Sequence, residues 1–388
     1  MFLEKLRHNN PQLIQASLDL LNKGLILPDT YVLDYDAIID NAKNMKKIAD
    51  ENNIKLFYML KQIGRNPIIA KALDNIGFDG CVAVDYKEAL IMKENGCKLG
   101  HVGHLVQIPK HAMESLLKAK PEYITVYSYE RIEQINEVCK KLNQKQKIVL
   151  RIVDEDSDLY AGQVGGFSSD ELTELVNKIS KLDNIILGGL TVFPALLFNS
   201  EQNKIVPTNN MKAMNRAKKI MEQLGYKDLM INIPSCTCSN SIPLIKELGG
   251  TCGEPGHGLT GTTPLHKVSD EYERVGYIYV SEISHNFKNN SYCYGGGHYR
   301  RSHMENALVG NDLSPAKVLM PDQESIDYHF EIEGNHKLGD AVIMCFRTQV
   351  FTTRSHVAVV KGISNNKPEL LGVFNSFGEK IDNSWSTK

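Results

Sequence analysis

The stretch "KLFYMLKQIGRNP", residues 55–67, ends an apolar, strand-like run in Lys61 and breaks it at once with Gln62, Ile63 and Gly64. On a surface strand such a lysine is ordinary. At the end of a buried strand it is a chemical tool, because desolvation lowers the pKa of an amine and makes it nucleophilic near neutrality. The rest of the chain decides between the two. Seven further β-rich runs follow: "GCVAV" (80–84), "LGHVGH" (99–104), "YITVYS" (123–128), "KIVLRIV" (147–153), "IILGGLTVF" (185–193), "MINIPS" (230–235) and "GTCGEP" (250–255). Between them lie stretches of helical period such as "NPIIAKALDNIG", "YERIEQINEVCKKLN" and "SDELTELVNKISKL", the last preceded by a capping signal at Ser168 and Glu171. Eight strands, most followed by a helix, predict an α/β fold of the TIM (β/α)8 barrel type rather than an open sheet.

The flanks have a different texture. "PQLIQASLDLLNKG" reads as an amphipathic helix packed outside the barrel, and "TYVLDY" as a strand whose following helix leads into the first barrel strand. After Pro264, "RVGYIYVSEIS", "DYHFEIEG", "DAVIMCFRTQVF" and "HVAVVKGI" read as strands without intervening helices, an antiparallel β domain. The expected organisation is an N-terminal helical extension (1–28), a barrel (29–265) and a C-terminal β domain (266–388). The polar segment 195–207 is expected to be a long loop over one face.

Composition narrows the function. With 388 residues, 42% hydrophobic and 23% charged, the chain builds a substantial core, and a net charge of -2 gives no footprint for nucleic acid or an anionic membrane. No apolar run approaches the ~20 residues that span a bilayer. "MFLEKLRHNNPQ" lacks the apolar core of a signal peptide, so a cytoplasmic protein with eight reduced cysteines is expected. "CTC" at Cys236 and Cys238 does not have zinc-knuckle spacing, and no metal is expected there.

In such a barrel, chemistry collects at the C-terminal strand ends. That position holds Lys61, Asp85, His104, Ser128, Arg151 or Asp154, Phe193, Ser235 and Glu254. A lysine, an aromatic ring, a hydroxyl and a carboxylate suit a flat, phosphorylated, electron-poor ring. "FYMLKQIG" followed by "DGCVAVDYKEA" resembles the fold-type III pyridoxal-phosphate enzymes, the alanine racemase and ornithine decarboxylase class. "GGTCGEPGHGLTGTTP" is similar to the Glu-Pro-Gly segment of its decarboxylase branch. From about residue 29 to 388 the chain resembles the YhfX-like group.

The resemblance implies pyridoxal 5'-phosphate as cofactor, with Lys61 carrying it as a Schiff base and Glu254 pairing with the pyridine nitrogen. Gly256, His257 and Gly258, with the Ser235 hydroxyl, would bind its phosphate. Phe193 stands where racemases commonly carry a histidine, and would stack on the ring without moving protons. In "GQVGGF" (162–167), Val164 takes the place of the racemase arginine, and Arg151 is the substitute. Plainer alternatives are a helix cap for Glu254 and barrel packing for Phe193.

The segment "NSYCYGGGHYRRSHMEN" (290–306) lies in the β domain. By resemblance, a two-fold homodimer with shared active sites would bring Tyr292 or Tyr294, or Cys293, to the partner's cofactor, while Arg300 and Arg301 would bind a substrate carboxylate. His298, His303 and Cys345 are an alternative zinc set. The leading reading is an amino acid racemase or epimerase working at Cα. Decarboxylation or elimination remains open, as do a PLP-carrying homeostasis protein and a cofactor-free Schiff-base aldolase.

Overall fold

The computed structural model describes residues 2–382 and Trp385. The chain divides into two compact units. One comprises Asn44–Leu60 and Ala70–Gly256; the other comprises Met1–Lys43, Lys61–Ile69 and His257–Lys388.

The first unit is the expected parallel barrel. Its strands are Lys55–Leu56 continued by Tyr58–Met59, then Cys81–Ala83, Leu99–Val102, Tyr123–Val126, Gln146–Arg151, Ile185–Thr191, Met230–Asn232 and Cys252–Gly253. The first stretch closes the ring by changing partners at Phe57. Lys55 and Leu56 pair with Cys252 and Gly253, whereas Tyr58 and Met59 pair with Cys81 and Val82. Strands buried on both faces read as near-continuous apolar runs, which is why all eight were visible in the sequence. Phe57, Met59, Val82, Tyr123, Val149, Met230 and Cys252 form one packed cluster, so the ring is filled by side chains rather than open. Ser168 and Glu171 make the reciprocal capping box that the spacing predicts. Segment 195–207 differs from expectation. It is a hairpin, Leu196–Asn199 against Lys204–Pro207, and the Asn199 carboxamide accepts from the Glu201 and Gln202 amides (both 2.9 Å) to fix its turn.

The second unit is built on an antiparallel sheet that closes on itself. The long strand Tyr277–Phe287 pairs with Ala341–Met344 through its first half and with Asn290–Tyr294 through its second. Asn306–Val309, Ser314–Leu319 and His329–Glu333 complete the ring. Thr30–Asp34, expected to lead the barrel, instead lies between Tyr277–Phe287 and His356–Lys361, with Glu369–Phe374 at the edge. All five of its residues are buried, so its pattern cannot say which sheet it joins. The helices Phe2–Asn9 and Pro11–Asn22 do not lie outside the barrel. Phe2, Leu6, Leu13 and Leu20 pack with Val32, Ile278, Val280, Leu308, Ile343 and Ala358, covering the β sheet. Among the described residues, no helix is long and apolar enough to cross a membrane.

Candidate active site

Two residues at the barrel's strand ends prove to be helix caps. Asp85 accepts from the Glu88 amide (2.8 Å) and Ser128 from the Arg131 amide (3.4 Å), each at the N-cap of the following helix. Asp154 is a loop staple, bonded to Ser169 and Arg216. Of the others, Glu254, His104, Phe193 and Arg151 are linked through shared contacts.

Glu254 follows the last strand and is 3% exposed. Its Oε1 accepts from His101 Nδ1 and from Asn232 Nδ2, both at 2.8 Å. Its backbone amide donates to Thr237 Oγ1 (3.0 Å). Oε2 lies 3.5 Å from His104 Nε2 and accepts no hydrogen bond among the described residues. Burial pushes this carboxyl up. The His104 charge, the His101 hydrogen bond and charge, and the Asn232 amide outweigh it and hold the pKa down at about 2. A buried carboxylate with one oxygen doubly bonded and the other bare is poised to accept one more proton donor.

The His104 ring sits edge-on to Phe193, 5.3 Å between centroids at 88°, and 5.1 Å from His101. Arg151 is fully buried. It donates from Nη1 to the Tyr127 hydroxyl (2.8 Å) and from Nη2 to the Gln163 carbonyl (2.6 Å), and Tyr127 passes its own proton to the His104 carbonyl (2.6 Å). Arg151 therefore ties the "GQVGGF" loop to the strand ends. Ser235 has φ +86°, and its buried hydroxyl has no partner among the described residues.

In the β unit, Lys61 comes two residues after the strand Tyr58–Met59 and opens the short turn Lys61–Ile63, buried at 8% exposure. Gly64 in the same turn has φ +63°, and a Cβ there would meet Val357 Cγ2 at 2.7 Å, so only glycine fits. His257 is 9% exposed; its Nδ1 meets Thr262 Oγ1 (3.1 Å) and its Nε2 has no partner among the described residues. Burial lowers its pKa well below the usual range, with the Arg347 and Lys61 charges adding to the effect, so the ring is neutral. Gly256 and Gly258 flank it in the turn.

The segment 290–306 corrects two expectations. Strand alternation puts Tyr292 and Tyr294 on one face of Asn290–Tyr294 and Cys293 on the other. Cys293 is fully buried, and burial pushes its thiol up to about 12, so it is a core residue and not a catalytic one. The Tyr292 hydroxyl is committed to Glu331 Oε1 (3.0 Å) and its ring stacks on His285 (4.9 Å, 6°), while Tyr294 is 41% exposed. Among the described residues, the alternative zinc set does not come together. His298 Nδ1 is held by Asp327 (3.1 Å), His303 is exposed, and Cys345 is buried against the Tyr277 carbonyl. Arg300 reaches Asp327 at 3.8 Å, and Arg301 lies over Tyr299.

Among the described residues, the group with metal-type donors within reach of one another is His101, His104 and Glu254. Both His101 nitrogens are engaged, one by Glu254 and the other by Thr125 Oγ1, so this is a hydrogen-bonded tether rather than a cation cage. The sequence reading missed His101 and Asn232. A histidine inside a strand reads as core, and only its pleat phase, facing into a barrel with Glu254 at its rim, signals more.

Comparison with known proteins bears on this arrangement. Residues 33–264 match the family described as alanine racemase, N-terminal domain, and residues 278–370 match YhfX-like, C-terminal domain. The chain is 40% identical over 385 residues to the uncharacterized protein YhfX of Escherichia coli (strain K12), covering 98% of this chain and all of that one. Among solved structures, alanine racemase from Clostridium difficile 630 in complex with cycloserine superposes with a TM-score of 0.65 at 19% identity, covering 90% of this chain and 99% of that one. D-threonine aldolase from Filomicrobium marinum superposes with a TM-score of 0.67 at 12% identity, covering 90% and 94%.

Proposed function

Because the chain belongs to the alanine racemase family through its barrel and to the YhfX-like family over nearly its whole length, we propose that it binds pyridoxal 5'-phosphate and acts at Cα of an amino acid, as a racemase or epimerase. The observation that carries this reading is Glu254, a buried ionised carboxylate whose Oε2 accepts no hydrogen bond among the described residues, which fits the protonated ring nitrogen of such a cofactor. The partnerless Ser235 hydroxyl and His257 Nε2 fit its phosphate, alongside the backbone of Gly256 and Gly258. Lys61 would hold the cofactor covalently, and Phe193 would face its ring. When bound, the cofactor supplies an electron sink for charge developing at Cα.

The chain's own residues supply the rest. Glu254 holds a proton at the ring nitrogen. Lys61 would exchange the Cα proton on one face. A second acid–base group is required on the other face, and Phe193 cannot serve. We assign it to Tyr294 of a second copy in a homodimer, with Tyr292 disfavoured because Glu331 already holds its hydroxyl. Arg151 keeps the 162–167 loop in place and, by resemblance, would stand in for the racemase arginine.

A lyase reading has one specific point in its favour, the carboxylate at Glu254 in a Glu-Pro-Gly segment similar to that of the decarboxylase branch; the buried Cys293 lends it less. The deciding experiment reduces the yellow protein with borohydride, maps the label, and incubates an amino acid panel in D2O. A pyridoxyl group on Lys61 with deuterium at Cα is the expected result. A label on another lysine, or a protein that takes up no cofactor, overturns the reading; CO2 or aldehyde release without exchange moves it to the lyase class.

A further inference from the structure

A line of buried polar side chains crosses the barrel interior: Thr125, His101, Glu254, Asn232 and Thr191, each no more than 3% exposed. His101 Nε2 meets Thr125 Oγ1 and its Nδ1 meets Glu254 Oε1; Asn232 Nδ2 donates both to Glu254 Oε1 and to Thr191 Oγ1 (3.0 Å). Four strand positions thus lock one carboxylate. An ionised carboxylate only accepts, so His101 Nδ1 must carry the hydrogen it shares with Oε1. With both nitrogens engaged, the ring cannot turn without breaking two bonds.

We propose that His101 is a positioning residue: with Asn232 it fixes which oxygen of Glu254 is offered, and it keeps that carboxylate charged. This rests on the reading that Glu254 faces a protonated ring nitrogen. The groups facing Glu254 are few. His104 stands on the Oε2 side at 3.5 Å, Asn232 is neutral, and the Cys252 thiol, itself pushed up by burial and by Glu254, adds no positive charge. Deleting the His101 donor leaves Oε1 with one neutral amide; the His104 charge on the Oε2 side remains and offsets part of the loss, but burial of the less compensated carboxylate shifts it toward its protonated form. A protonated Glu254 presents an O–H where an acceptor is needed, and the electron sink weakens.

The test has two arms. In the cofactor-free protein, carboxyl carbon-13 NMR of labelled glutamate should show Glu254 ionised through the neutral range in wild type, titrating far higher in His101→Ala and in between in His101→Gln, which retains an N–H. An unmoved titration overturns the proposal. In the loaded enzyme, His101→Ala should exchange Cα deuterium ~10–100-fold more slowly, the range for loss of an outer-shell partner. That loss should shrink as pH rises and Glu254 re-ionises; a pH-independent loss reduces His101 to packing and also overturns it. If the variants do not fold, proton–nitrogen NMR of the wild-type imidazoles still decides, since a bare His101 Nδ1 is incompatible with the tether. A protein that stays colourless while the carboxyl titration moves as stated sinks the cofactor reading and leaves the tether intact.

Discussion

Replacing Gly296 by alanine probes how the segment carrying Tyr294 is held. A Cβ at 296 would lie 2.2 and 2.3 Å from the two Asp29 carboxylate oxygens and 2.3 Å from Ser355 Oγ. Gly296 does not have a left-handed φ, so the backbone accepts alanine and the cost is the collision alone. Asp29 cannot swing aside freely, because its Oδ1 accepts from the Tyr279 hydroxyl (2.9 Å) and from the Ser355 hydroxyl. The chain beside it is equally pinned: Arg354 donates to the Gly295 carbonyl (2.8 Å) and Ser281 to the Tyr294 carbonyl (2.6 Å). Overpacking of this kind costs ~1–3 kcal/mol, and a broken hydrogen bond adds ~1 kcal/mol. At roughly 2–4 °C per kcal/mol for a unit of this size, the melting temperature should fall by about 4–16 °C. Gly297→Ala is the control, since it has φ +95° but nothing nearer than Thr353 Cα at 3.9 Å, so it isolates backbone strain from collision. The decisive measurement is a calorimetric double-mutant cycle. In an Asp29→Gly background two of the three atoms that the new Cβ meets are gone and only Ser355 Oγ remains, so Gly296→Ala should cost at least ~1 kcal/mol less than in wild type. Strictly additive effects would refute the brace.

Asp29 itself gives a pH prediction. Burial raises its pKa from 3.8 to about 6, against the lowering effect of Ser355, Tyr279 and Arg354. For an acid raised in this way, stability falls as pH climbs from 3.8 to about 6 and the penalty, on the order of 3 kcal/mol, is complete above that. Asp29→Asn should flatten this fall in melts taken between pH 4 and 7, and parallel curves would contradict it. Cys293→Ser should leave Cα exchange within about twofold of wild type, because no reacting group touches it, and native Cys293 should resist thiol reagents until the protein unfolds. Lys61→Ala and Tyr294→Phe, each inactive alone, should recover activity when mixed and re-dimerised. No recovery despite proven subunit exchange would place the second acid–base group within one chain.

The barrel was legible because each of its strands is an apolar run closed by glycine, proline or a polar residue, and because helices separate them. The strand ends were legible too, and Glu254 and Phe193 share one cluster there. What sequence could not separate at those ends was site from scaffold. Asp85 and Ser128 occupy the same pleat position as Glu254, but three residues on, a backbone amide claims each side chain as a cap. Ser314–Leu319 was invisible because five of its six residues are exposed or partly so and it bears a proline, the opposite of a buried strand's pattern. Cys293 was misjudged for a simpler reason: a Tyr-Cys-Tyr triplet on a strand must divide between two faces, and the tyrosines took the outer one.

The strand Thr30–Asp34 also sets a timetable. It is among the first segments to leave the ribosome, yet both its neighbours, Tyr277–Phe287 and His356–Lys361, are among the last. Every barrel strand is translated in the interval. The nascent chain must therefore carry five residues destined for burial, and the two helices before them, with no sheet to join until both partner strands have been made. Chains arrested near residue 260 should show a protease-resistant barrel behind a cleavable amino-terminal arm, and an arm already protected at that length would rule this order out. Long-range closure of this kind slows folding, and it makes the opening of the chain, rather than its barrel, the point at which holding chaperones have most to offer.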